Sequence, residues 1–87
     1  MKYTVILSRQ AERYYKKLQG KVKAQVQECL ISLEDAAFLG KRLHGDLKDY
    51  WSLRVGRRLR IVYSISEKDK TVYVVAIGSR ETIYQKS

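Results

Sequence analysis

The segment 51–63, WSLRVGRRLRIVY, decides the fold because apolar side chains recur at every second position on either side of Gly56. A period of two is typical of β-strands whose two faces meet different surroundings. The segment therefore predicts a β-hairpin, with one strand from about residue 50 to 55 and a second from about 59 to 65.

The length of the hairpin turn decides which side chains share a face of the sheet. A two-residue turn would bring an arginine opposite Val55 and so place charge in the core. A three-residue turn over residues 56–58 pairs Val55 with Leu59 instead. It also sets Arg54 opposite Arg60, on the face away from the apolar side chains. We expect this second register, although the glycine is not at the usual position for a three-residue turn.

Two arginines directly opposite each other repel. The cost is ~0.2–1 kcal/mol, the range typical of interactions between cross-strand pairs. An anion that bridges Arg54 and Arg60 turns this cost into a gain, because the planar guanidinium donates two hydrogen bonds to a phosphate. The simpler alternative is that both side chains extend into water. The alternation by itself slightly favours that alternative over a binding site.

The rest of the chain predicts two helices and two further strands around this hairpin. In chain order the other elements are a strand at 2–7, a helix that follows the N-cap Ser8 and closes at Gly20, a helix at 22–33, an irregular stretch at 34–49, a turn at 66–70 and a strand at 71–77. The last strand is apolar on both faces, which indicates a central position. The predicted fold class is α+β, in the order β-α-α-β-β-β, with a helical hairpin packed on one face of an antiparallel-rich four-stranded sheet.

The charge of the chain indicates a polyanionic partner. The 87 residues predict one domain, residues 1–87, and carry a formal net charge of +9. Residues 1–40 carry seven basic and four acidic side chains, whereas residues 41–87 carry eleven and five. Such a charge attracts nucleic acid, acidic proteins or anionic membrane. A solvated surface that only maintains solubility is an equal alternative.

Other features exclude several classes of protein. Cys29 is the only cysteine, so the chain forms no internal disulfide and no thiolate metal site, and we expect a small buried apolar group there. No segment approaches the roughly 20 apolar residues of a membrane span. Residues 1–7 are too short for the core of a signal peptide. We therefore expect a cytoplasmic protein.

The segment after the central strand offers two more candidate site residues. We expect the chain to bend at Gly78, which would place Arg80 and Tyr84 at the rigid end of the sheet. The alternative is that this segment merely packs on and covers the sheet edge.

Four motifs in this order resemble the RelE/ParE toxin superfamily: 43–45 (LHG), 50–56 (YWSLRVG), 59–63 (LRIVY) and 78–84 (GSRETIY). The resemblance covers nearly the whole chain and favours the RelE branch. That branch consists of ribosome-dependent mRNA endonucleases, each held inactive by an antitoxin. The resemblance thus implies a cognate antitoxin, ribosome and mRNA as partners, and a cleavage without metal or other cofactor in which the 2′-hydroxyl attacks the adjacent phosphate.

Carried over by position, the resemblance implies that Arg54, Arg60, Arg80 and Tyr84 are catalytic. Further contacts to RNA phosphates are expected from four polar residues of the same region, Lys48, Ser52, Arg57 and Arg58. Two positions depart from the RelE pattern: Ser52 replaces a basic residue, and the spacing from Arg80 to Tyr84 is short.

Three functions remain open at this stage. The first is an mRNA endoribonuclease, the second a ParE-like inhibitor of DNA gyrase without catalysis, and the third a catalytically weakened toxin that retains antitoxin binding. His44 belongs to the residue type that titrates nearest neutral pH. Its place in a predicted loop beside Gly45 favours a solvated turn histidine instead.

Overall fold

The computed structural model describes residues 2–79 and contains two helices, five strands and a 3₁₀ turn within that range. In chain order the elements are β1 Thr4–Leu7, α1 Arg9–Lys17, α2 Gly20–Asp35, β2 Lys41–Arg42, a 3₁₀ helix Gly45–Leu47, β3 Trp51–Val55, β4 Leu59–Ser66 and β5 Thr71–Ser79. The predicted order and the α+β class are confirmed.

The strands form one mixed sheet in the order β1-β5-β4-β3-β2. β1 is parallel to β5, and every other pairing among the described strands is antiparallel, so the sheet is antiparallel-rich as predicted. The sheet has five strands rather than four because Lys41 and Arg42 pair with Ser52 and Trp51. A two-residue strand is too short to show a periodicity, so this strand was hidden in the stretch that looked irregular.

Both helices cover the same face of the sheet and close the hydrophobic core. α1 packs on β5, and α2 packs on β1 and β3. The fully or almost fully buried apolar residues of the core are Ala11, Val26, Leu33, Ala37, Val55, Ile61, Tyr63, Val72, Val74 and Ile77. Cys29 packs at the edge of this cluster, where burial and then the nearby charge of Glu28 raise the pKa of its thiol. A protonated, half-buried thiol fits the predicted apolar role.

The helical hairpin begins as predicted and turns earlier than predicted. The Ser8 hydroxyl caps α1 by accepting from Ala11 N (3.1 Å), and it donates to Val75 O of β5 (2.8 Å). α1 ends at Lys17 with Leu18 as its cap. Gly20 does not close α1; it is the first residue of α2, at φ +61°. Only glycine adopts that conformation without cost, so it makes the sharp turn between the helices.

β5 is central, as its apolar faces indicated, but the predicted bend at Gly78 is wrong. The strand continues to Ser79, with Gly78 opposite Arg60 and Ser79 opposite Leu59. A glycine without a side chain leaves room beside its cross-strand neighbour. Gly78 therefore leaves room for the Arg60 side chain, and the strand direction does not change there.

Within the described residues, neither helix is long and apolar enough to cross a membrane.

Candidate phosphate-binding groove

The register of the β3–β4 hairpin is the one that keeps charge out of the core. Val55 is opposite Leu59, and Arg54 is directly opposite Arg60. Gly56 takes a φ of +61° in the turn that joins the strands. The predicted pairing of the two arginines is thereby confirmed.

The two arginines border a groove of about 530 Å³. Its wall is the segment that leads into and through β2, and its floor belongs to β3 and β4. The lining residues are Leu39, Gly40, Lys41, Arg42, Leu43, His44, Ser52, Leu53, Arg54 and Arg60. None of these described lining residues is acidic, and four of them are permanently cationic at neutral pH. The lining of the groove is therefore positively charged, which favours the binding of an anion.

Ser52 contributes a polar atom that this part of the chain leaves unsatisfied. It is 6% exposed, on the same face as Arg54, and opposite Val62 and Lys41. Its Oγ has no hydrogen-bond partner among the described residues. A buried hydroxyl without a partner costs free energy, about 1–3 kcal/mol by analogy with other buried polar groups. Ser52 nevertheless belongs to the groove lining.

Gly40 and Tyr63 fix the wall of the groove to the core. The Gly40 N–H donates to the Tyr63 hydroxyl (3.0 Å). A Cβ on Gly40 would lie 2.6 Å from the Ser52 carbonyl oxygen and 2.8 Å from the Tyr63 hydroxyl. The chain can pass this closely over β3 only because residue 40 has no side chain. Burial raises the pKa of Tyr63, partly offset by the Gly40 hydrogen bond, so the phenol stays a protonated structural group.

The end of the wall is held by contacts across the β2–β3 connection. Arg42 Nε donates to the Lys48 carbonyl oxygen (2.9 Å), and Leu43 N donates to Tyr50 O (2.9 Å). These bonds close the loop around the 3₁₀ helix. His44, which immediately precedes that helix, is thereby brought to the groove.

The predicted site residues fall into three groups. Arg54, Arg60 and Ser52 meet in the groove. Arg57 and Arg58 are exposed in the hairpin turn, and Lys48 is exposed at the end of the 3₁₀ helix. The groove lining does not include these three residues. Arg80 and Tyr84 lie outside the described residues.

The sequence interpretation missed Lys41 and Arg42 as site residues. It predicted His44 as a solvated loop residue, and His44 is exposed in a loop, but its place in the groove lining was not predicted. No periodicity marks these residues, because they reach the groove through a two-residue strand. The available signal was the density of basic residues next to Gly40, a glycine that permits close approach of the chain to β3.

Known structures share this fold over nearly the whole chain. The toxin–antitoxin complex RelBE2 of Mycobacterium tuberculosis contains a chain that is 29% identical, with a TM-score of 0.82 over 92% of this chain and 100% of that one. A free E. coli RelE mutant is 21% identical, with a TM-score of 0.79 over 95% of this chain and 88% of that one. The Staphylococcus aureus YoeB dimer is 23% identical, with a TM-score of 0.75 over 92% and 99%.

No curated protein sequence matches the chain. A protein family does: the one described as the ParE-like toxin of type II bacterial toxin–antitoxin systems, over residues 5–87. With nearly its full length matched, this chain belongs to the ParE-like toxins of type II bacterial toxin–antitoxin systems.

Proposed function

We propose that this toxin is a ribosome-dependent mRNA endoribonuclease whose scissile phosphate binds between Arg54 and Arg60. The observation that carries the proposal is the pairing of these arginines beside a groove without acidic lining residues in the described chain. Such a pair is unfavourable when empty and favourable when a phosphate bridges it. Ser52 lines the same groove, and we propose it as a further ligand of this phosphate.

The proposed reaction is an intramolecular attack. The ribose 2′-oxygen bonds to the adjacent phosphorus, the bond to the 5′-oxygen breaks, and a 2′,3′-cyclic phosphate and a 5′-hydroxyl result. Negative charge develops on the phosphate oxygens, where fixed cationic donors stabilise it. Arg54 and Arg60 are the proposed donors, and Arg80 and Tyr84 complete the catalytic set by resemblance.

Ser52 stands where the RelE pattern has a basic residue, and it lines the proposed phosphate site. A basic residue at this position would add a fifth cation to the groove, whereas the serine adds a neutral donor that is already buried. We therefore include Ser52 as a phosphate ligand. Arg57, Arg58 and Lys48 are proposed to contact neighbouring phosphates from the rim, since they are exposed and outside the groove lining.

The proposed partners are the ribosome with its mRNA and a cognate antitoxin, which places the toxin in the cytoplasm. The RelBE2 complex of Mycobacterium tuberculosis and the RelBE complex of E. coli are toxin–antitoxin complexes whose matched chains share this fold. For this chain we propose an acidic or amphipathic antitoxin segment, because the groove and its rim are positively charged.

The test is cleavage of mRNA in a purified translation system by wild type, R54A, R60A and R80A. We expect each arginine variant to lose about 100- to 1,000-fold in cleavage rate, the usual effect of removing one charge-stabilising donor. K68A is the matched control, because it also removes one positive charge, in the exposed turn between β4 and β5. It should cleave at the wild-type rate. Wild-type rates in the folded arginine variants would refute the site.

The rim is tested by the salt dependence of RNA binding. The slope of log K against log salt should fall by about 0.7 for each phosphate contact that is removed. We expect this for R57A and R58A, with little change in the maximal cleavage rate. An unchanged slope would remove these two residues from the RNA contact surface.

One observation favours a second candidate, because the matched family is described as ParE-like. A gyrase inhibitor of this kind would block DNA supercoiling and leave mRNA intact. Mapping mRNA ends and assaying gyrase in the same induced cells separates the two functions. Harmless expression without any antitoxin would instead indicate the catalytically weakened toxin.

A further inference from the structure

His44 lies on the wall of the groove that holds the paired arginines. It is exposed, its backbone carbonyl accepts from Leu47 N (3.2 Å), and its side chain does not cap the 3₁₀ helix. The predicted loop position is correct. The fold adds what the sequence did not show, which is that His44 lines the same groove as Arg54 and Arg60.

Attack by a ribose 2′-hydroxyl requires a group that accepts its proton. The lysine and three arginines of the lining are cations without an acceptor, and a serine hydroxyl is a weak base. Imidazole combines an acceptor nitrogen with an ordinary pKa close to neutral pH. Among the described lining residues, His44 alone carries an imidazole.

We propose that His44 is the general base of the cleavage, an inference that rests on the proposed endoribonuclease function. A ring nitrogen of neutral His44 takes the 2′-hydroxyl proton while the 2′-oxygen bonds to phosphorus. The electron pair of the breaking bond leaves with the 5′-oxygen, which takes a proton from water. The imidazolium then returns its proton to solvent, so protons and electrons balance.

The charges around His44 suit this step. Lys41 and Arg42 of β2 share its wall, and Arg54 and Arg60 face the groove from β3 and β4. Asp46, in the first turn of the 3₁₀ helix, is the nearest acidic residue in sequence. The cations neutralise the phosphate, so a bound RNA delivers its 2′-hydroxyl to a site where His44 is the available acceptor.

The test is the single-turnover cleavage rate of mRNA on ribosomes, measured across the pH range in which imidazoles titrate. General base catalysis contributes about 100- to 10,000-fold. We expect H44Q to cleave about 100-fold more slowly at neutral pH or worse, with unchanged ribosome binding. The wild-type rate should fall as pH falls, the variant should lack that dependence, and free imidazole should partly restore H44A.

D46N is the matched control, since it alters the same turn outside the groove lining. It should keep both the rate and the pH profile of wild type. Equal rates, or equal pH profiles, for folded H44Q and wild type would overturn the role of His44 and leave the endoribonuclease function standing. A wild-type protein that does not cleave mRNA would overturn both.

Discussion

The two faces of the β3–β4 hairpin differ sharply although their residues are neighbours in the chain. Ile61 is fully buried beneath the helices, while Arg60 borders the groove on the other face. One face gains stability from apolar burial. The other face brings Arg54 and Arg60 directly opposite each other, and two like charges so placed repel. We therefore expect neighbouring residues of the hairpin to differ in their effects on stability and on the proposed anion binding.

The largest expected effect is on the buried face. I61A should lower the free energy of unfolding by about 2–5 kcal/mol, because it leaves a cavity among well-packed side chains. R60A, one residue away, should change it by no more than about 0.5 kcal/mol. Urea unfolding of both variants measures this difference. Equal destabilisation would show that the arginine is part of the folding core.

Gly40 contacts both the core residue Tyr63 and the groove residue Ser52. Its substitution should therefore change both the stability and the cleavage activity. G40A should cost about 1–3 kcal/mol of stability, as expected when a methyl group is forced into a packed site. The new Cβ meets the Ser52 carbonyl, which belongs to strand backbone and cannot move away freely. Urea unfolding measures the loss, and the cleavage assay should show a displaced groove wall. A G40A protein with wild-type stability and activity would contradict this close packing.

Tyr63 connects the core to the wall by one hydrogen bond. Y63F should lower stability by about 1 kcal/mol near neutral pH, the net value of a typical intramolecular hydrogen bond. Because burial raises the pKa of Tyr63 in the folded state, its contribution is complete below the ordinary tyrosine pKa of about 10 and declines above it.

The unfolding free energy of wild type should therefore decline as pH rises above about 9, more steeply than that of Y63F. Denaturant titrations of both proteins at neutral and alkaline pH measure the two slopes. Parallel slopes would mean that Tyr63 ionises equally well in the folded and unfolded chain.

The smallest expected effect lies on the open face. R54Q should raise stability by a few tenths of a kcal/mol at low salt (about 0.2–1), because it removes one of two directly opposed charges. The gain should vanish at high salt, where exposed charges are screened. Thermal unfolding at two ionic strengths detects it. A salt-independent change would indicate that packing, and not repulsion, is altered.

The parts of the fold that could be predicted from the sequence are those in which apolar residues recur with a regular period. Alternation around Gly56 predicted the hairpin register, and with it the juxtaposition of Arg54 and Arg60. It could not predict β2, whose two residues carry no period, and therefore missed Lys41 and Arg42 as groove residues. The same gap hid His44, because only the closure of the β2–β3 loop brings it to the site. The bend predicted at Gly78 was wrong because a glycine within a strand and a glycine at a bend look the same in the sequence.

The parallel pairing of β1 with β5 has a consequence for how the toxin is made. Ser8 and Gln10 bond to backbone atoms of Val75 and Ile77, which are synthesised 67 residues later. The N-terminal strand and both helices therefore leave the ribosome before the strand that completes their core exists. Contacts of such long sequence separation form late and slowly. We expect the nascent chain to assemble its sheet, and with it a competent toxin, only after β5 has been synthesised.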